Sequence, residues 1–180
     1  TAPGSSLVKV SLAGTPRAGL LTQASFLMGN AHPNVSSPVQ RGNWVLQRIL
    51  CAATPPPPNN VDTSFNPGAA GVTARAVLEA HRADPGCGAC HNLIDPVGVG
   101  LESFDAIGAY RTKDNGAPVD AHGTYPGGAT FSSGAELSRL IAQDSRYPTC
   151  VTKNLLTYGA GLSFAWRESR AYAKGLPERA

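Results

Sequence analysis

Cys87-Gly88-Ala89-Cys90-His91 stands near the middle of the chain. Its two thiols lie about one helical turn apart, and an imidazole follows directly. This C-x-x-C-H spacing is the attachment signature of a c-type haem. On that reading the thiols of Cys87 and Cys90 would add to the two vinyl groups, and His91 would lie under the iron as its proximal ligand. Covalent attachment keeps the cofactor on a domain too small or too open to hold it by burial. Two other chemistries use similar residues. A dithiol redox site follows a strand and opens a long helix, whereas this motif follows a helix, a proline and a glycine. A zinc site wants a second ligand pair of similar spacing, and the other two cysteines, Cys51 and Cys150, are isolated.

Around the motif the pattern is helical but interrupted. Upstream, Thr73 caps a short helix over 74–82, and Asp84-Pro85-Gly86 stops it. Downstream, Asp95-Pro96, Gly98 and Gly100 mark turns, a short helix fits 101–107, and Asn115-Gly116 signals a type I′ hairpin turn within 108–130. Ser133 and Glu136 form a capping box opening a helix through Ile141, and Pro148 opens another that ends near Gly159. Toward the N-terminus, 1–18 is an irregular lead-in and 20–28 an apolar run of helical spacing. Ser37-Pro38 caps a helix whose stripe is Val45, Leu46, Ile49 and Leu50. Pro55-Pro56-Pro57-Pro58 and Asn66-Pro67-Gly68 lie in a stretch without periodicity, which suits an extended strap or a plain surface loop. The chain divides into an N-terminal helical lobe (1–53), a Pro-rich strap or linker (54–72), a haem-binding core (73–130) and a C-terminal helical segment (131–180). The fold expected is mainly α: a cytochrome c-like haem domain with long irregular loops and packed flanking helices.

Composition agrees. The 180 residues carry 15 basic and 12 acidic side chains, net +3, which excludes a strongly basic nucleic-acid binder. The 42% hydrophobic share excludes a disordered tail. Glycine and proline make up 35 residues, well above the average of about 12% for the pair, so elements are short and loops many. No run approaches the ~18 apolar residues of a membrane span. The beginning at Thr1 shows neither Met nor a signal-peptide pattern, as in a mature product or a piece of a longer protein.

Several segments together resemble a planctomycete and myxobacterial family of large, secreted, cytochrome-like proteins of unknown function. They are His81-Arg82-Ala83-Asp84-Pro85-Gly86 leading into the motif, Ile94-Asp95-Pro96-Val97-Gly98, Leu101-Glu102-Ser103-Phe104-Asp105-Ala106-Ile107-Gly108 and Tyr110-Arg111. Upstream, Leu20-Leu21-Thr22-Gln23, Ser36-Ser37-Pro38-Val39-Gln40-Arg41-Gly42 and the proline run fit the same family, and 131–160 looks like the start of its terminal domain. The resemblance implies one covalently attached haem c and a bacterial extracytoplasmic setting: periplasm, cell surface or extracellular.

The sixth iron position has three candidates. His81 precedes Cys87 by six residues, as distal histidines do in small multihaem cytochromes, and the resembled family carries a histidine there; a helix C-terminal histidine favoured by the macrodipole is the ordinary alternative. His32 is the second candidate. Met28, the only methionine, is the third and also suits a core position. His122 reads as an exposed loop residue. Phe104 and Tyr110 are candidates for the porphyrin edge or for ordinary core packing. Arg111, Arg82 and Arg41 are candidates to pair propionates, each a surface cation otherwise. Asp95 and Asp105 suit turns and caps, and Trp44 and Trp166 the core or an interface. Cys51 and Cys150 are expected to form a disulfide in an oxidising compartment, the alternative being two buried free thiols. The leading function is single-electron transfer to a redox partner protein or to other domains of a larger assembly. The alternatives are a peroxidase-like haem enzyme with an open sixth position and a haem-stapled structural or interaction module.

Overall fold

The computed structural model describes residues 8–55 and 70–161. Ser37 accepts a hydrogen bond from the Gln40 amide and Pro38 takes the first helical position, so helix α2 (Pro38–Trp44) starts at the expected cap. From Val45 to Ile49 the backbone continues in wider i→i+5 turns, burying Val45, Leu46, Ile49 and Leu50. Helix α4 (Pro85–Gly98) crosses α2. A Cβ on Gly42 would overlap the carbonyl oxygen of Ile94, and one on Gly98 that of Pro38. Glycine at both positions lets the two backbones touch.

Helix α4 is longer than the sequence suggests. Asp84-Pro85-Gly86 reads as a stop, yet it is also a start. The Asp84 carboxylate accepts hydrogen bonds from the amides of Gly86 (2.7 Å) and Cys87 (3.3 Å). Pro85 fills the first turn, where its missing N–H would have no helical partner. The helix then runs through Asp95-Pro96, expected as a turn. Pro96 removes one hydrogen bond near its end, after which Val99–Leu101 tightens into a 3₁₀ turn.

The short helix expected over 101–107 does not continue past that turn, and Arg41 is the reason. This side chain is fully buried. Its guanidinium donates to the carbonyl oxygens of Leu101 (3.0 Å), Phe104 (2.7 Å) and Asp105 (2.6 Å), and to Oε1 of Glu102 (3.1 Å). A segment folded around a guanidinium points its carbonyls at that group instead of along a helix axis. Glu102 also accepts from Ser36 Oγ and Arg111 Nη2, each at 2.7 Å. Burial pushes its carboxyl upward, and the two guanidinium groups oppose that shift.

The remaining elements follow their local signals. Helix α1 (Ala24–Gly29) follows a 3₁₀ turn at Leu20–Thr22, and helix α3 (Ala74–Arg82) is capped by Thr73 and packs on α4. Strands β1 (Lys113–Asp114) and β2 (Ala117–Pro118) pair antiparallel about Asn115-Gly116, whose φ values of 49° and 90° are those of the expected turn. Strands β3 (Gly123–Thr124) and β4 (Thr130–Phe131) form a second small hairpin. Helix α5 (Gly134–Gln143) has the Ser133 cap; the Glu136 carboxylate reaches back one residue further than a capping box requires, to the amide and hydroxyl of Ser132. Helix α6 (Arg146–Ala160) begins two residues before Pro148. One apolar core gathers Leu27, Val45, Leu50, Val97, Leu101, Phe104 and Leu137.

Cys51 and Cys150 form a disulfide with Cα atoms 5.4 Å apart, tying the end of the α2 region to α6 across 99 positions. No helix among the described residues is long and apolar enough to cross a membrane. Most of the Pro-rich strap (56–69), the first seven residues and everything after 161, with Trp166, lie outside the described residues.

Candidate haem-attachment site

The α3–α4 corner positions the site. The Ala83 and Asp84 amides donate to carbonyl oxygens of Ala80 and His81, and the Asp84 carboxylate caps α4 at once. A Cβ on Gly88 would stand 2.9 Å from the carbonyl oxygen of Arg82, so the glycine inside the motif lets the two helices turn this tightly. Cys87, Cys90 and His91 then occupy positions i, i+3 and i+4 of one helix, a single face. Both cysteines are free thiols and half-buried, and Cys90 packs against the apolar core.

The thiol chemistry separates the readings. Partial burial and the neighbouring Asp84 carboxylate push the Cys87 thiol above its ordinary range. A dithiol redox site needs the opposite shift. Asp84 satisfies the amides that would otherwise favour a thiolate in this first turn. Among the described residues no three His, Cys, Asp or Glu side chains come together as a metal site.

His91 has a partner that sequence reasoning missed. Its Nδ1 lies 3.0 Å and 3.2 Å from the two carboxylate oxygens of Asp95, whose side chain is fully buried. Burial pushes the Asp95 carboxyl upward, while His91, Arg82 and His81 pull it down. The signal was available as an i, i+4 spacing, hidden because Asp95-Pro96 reads as a turn. With Nδ1 engaged, His91 keeps Nε2 for a metal.

Of the three sixth-position candidates, the structure brings His81 to the site. Its ring meets that of His91 edge to face, with centroids 4.7 Å apart. Met28 lies on α1 with its side chain largely exposed, which corrects its reading as a core residue. His32 lies in the turn closed by the Ala31–Ser36 bridge. The other named residues have partners of their own. Phe104 is buried, stacks edge-on with Tyr110 at 5.8 Å, and carries the Arg17 guanidinium over its ring at 5.1 Å. Arg111 donates to Ser36, Glu102 and Asp114. Arg41 is enclosed and not a surface cation. Arg82 alone of the propionate candidates lies beside the motif, in a cleft of about 190 Å³ shared with Arg75, Asp95 and His122. His122 is exposed, and its Nδ1 stands 2.6 Å from Asp120.

A covalently attached haem fits these residues. Two unpaired thiols and a pre-oriented imidazole share one face, and that face is partly open, the condition under which attachment replaces burial. No curated protein and no solved structure matches the chain. Residues 17–114, more than half of the 180, match a family described as PSCyt3, protein of unknown function (DUF1588), ending before the 131–160 stretch. The matched region contains α1 to α4, the motif and its Asp95 partner, and the chain therefore belongs to this cytochrome-like PSCyt3 family.

Proposed function

We propose that this chain is an electron-transfer module carrying one haem c, bound through thioethers at Cys87 and Cys90 and through His91 as proximal ligand. The observation that carries the reading is His91 held by buried Asp95, on the same helical face as two free thiols. When bound, the haem supplies a one-electron iron couple. The protein's own residues do the rest. Cys87 and Cys90 would anchor the haem, His91 would ligate the iron, and His81, whose ring lies beside that of His91, is the candidate for the second ligand. Two imidazoles give a lower potential than an imidazole and a thioether. Arg82, which lines a cleft with Asp95, would pair a propionate.

The buried carboxylate on His91 also supports a second reading, a peroxidase-like haem enzyme with an open sixth position. A more basic proximal ligand donates electron density to iron, which suits activation of a bound small molecule. A low-spin spectrum in both redox states supports electron transfer. A high-spin iron that binds carbon monoxide or cyanide rapidly supports the enzyme.

The setting proposed is the bacterial periplasm, cell surface or exterior. The Cys51–Cys150 disulfide agrees with an oxidising compartment. The partner is a redox protein or another domain of a larger assembly. Export with haem-attachment machinery should give coloured protein whose colour survives acid–acetone extraction, and expression without a leader should give colourless protein. Haem that extracts, or holoprotein assembled in the cytosol, contradicts the reading.

A further inference from the structure

Asp95 is the fully buried acid of α4, and both of its oxygens lie within hydrogen-bonding distance of one atom, Nδ1 of His91. A carboxylate can only accept, so Nδ1 carries the proton and Nε2 the free lone pair. The arrangement is built in rather than adaptable. The two residues sit one turn apart on the same helix. That helix is fixed at one end by the Asp84 cap and at the other by the glycine crossing with α2.

We propose that Asp95 is a positioning residue that lowers the reduction potential of the iron ligated by His91. The inference rests on the haem reading above. Its physical basis is the outer partner of a metal-bound imidazole. A carboxylate accepting the Nδ1 hydrogen makes the ring more basic and fixes its orientation. A more basic ligand, backed by a buried negative charge, favours ferric over ferrous iron. Losing such a partner typically costs about 10–100-fold in metal binding. Weakening it is expected to change the ferric-to-ferrous preference about tenfold, which is about 59 mV for a one-electron couple.

The test uses the holoprotein, with haem attachment read first by mass and the midpoint potential read second. Asp95→Asn keeps an acceptor of the same shape without the charge and should shift the preference about tenfold toward ferrous iron, raising the potential. Asp95→Glu keeps the charge and should lie between the two. A haem-loaded Asp95→Asn protein with the wild-type potential overturns the role of Asp95 while leaving the haem reading intact. Wild-type protein without a haem adduct overturns the haem reading, and this inference with it. If Asp95→Asn does not fold, the reduced wild type decides by proton NMR. A His91 Nδ1 proton protected from solvent exchange supports the proposal, and one that exchanges at once overturns it.

Discussion

The imidazole rings of His81 and His91 meet edge to face across the α3–α4 corner, with centroids 4.7 Å apart. The corner holds them there: Asp84 caps the helix that bears one, and Thr73 the helix that bears the other. Replacing His81 should therefore change the iron and leave the fold alone. His81→Ala is expected to convert a low-spin haem to a high-spin or ligand-exchanged form in the visible and paramagnetic-resonance spectra. An unchanged spectrum assigns the position to His32 or Met28, which the same substitution separates.

The α2–α4 crossing predicts an asymmetric pair of glycine effects. A Cβ at Gly98 would overlap the Pro38 carbonyl, whereas one at Gly29 meets nothing within 4 Å. Gly98→Ala should cost about 1–3 kcal/mol or more, by forced separation of two backbones. Gly29→Ala, at the end of α1, should stay within about 1 kcal/mol of wild type on the favourable side. Urea unfolding of the two variants checks both signs.

The disulfide makes a thiol count predictive. Haem-free protein, unfolded without reductant, should show two thiols, Cys87 and Cys90, and holoprotein none. The Cys51→Ala, Cys150→Ala double variant removes a cross-link spanning 99 positions, and chain entropy sets the loss at up to about 4.7 kcal/mol. Four thiols in unreduced haem-free protein would show that no bridge forms.

Acid sensitivity should come partly from Asp144. Hydrogen bonds from Arg146, and then from Tyr125, hold its carboxyl well below the ordinary 3.8, at about 2. The folded value is depressed, so the stabilisation is present above the unfolded value and is lost as pH falls from about 4 to about 2. At about 1.4 kcal/mol per pH unit the effect is about 2.5 kcal/mol at most, and solvent screening of this partly exposed pair lowers it. Asp144→Asn should flatten the stability profile in that window and lower stability at neutral pH. An unchanged profile would show that Asp144 does not contribute to acid sensitivity.

The sequence is legible where a local signal has no competitor. Thr73, Ser37-Pro38, Ser133 and Asn115-Gly116 each sit where they are read, because a cap or tight turn is decided within four residues. The shared helical face of Cys87, Cys90 and His91 is legible for the same reason of spacing. Three features are not. Asp84-Pro85 serves as both the end of one helix and the start of the next, and the composition is the same for either role. The helix expected after Leu101 depends on Arg41, sixty positions upstream, claiming its carbonyls. The His91–Asp95 pair disappears with the misread helix, since four-residue spacing means contact only on a helix that continues.

Tryptic mass spectrometry of the exported protein decides whether haem is bonded to Cys87 and Cys90. Cleavage after Arg82 and Arg111 releases residues 83–111 as one peptide containing Cys87, Cys90 and His91. That peptide is expected at its own mass plus one haem, with neither cysteine open to alkylation. The same peptide without haem and alkylated at both cysteines would contradict it.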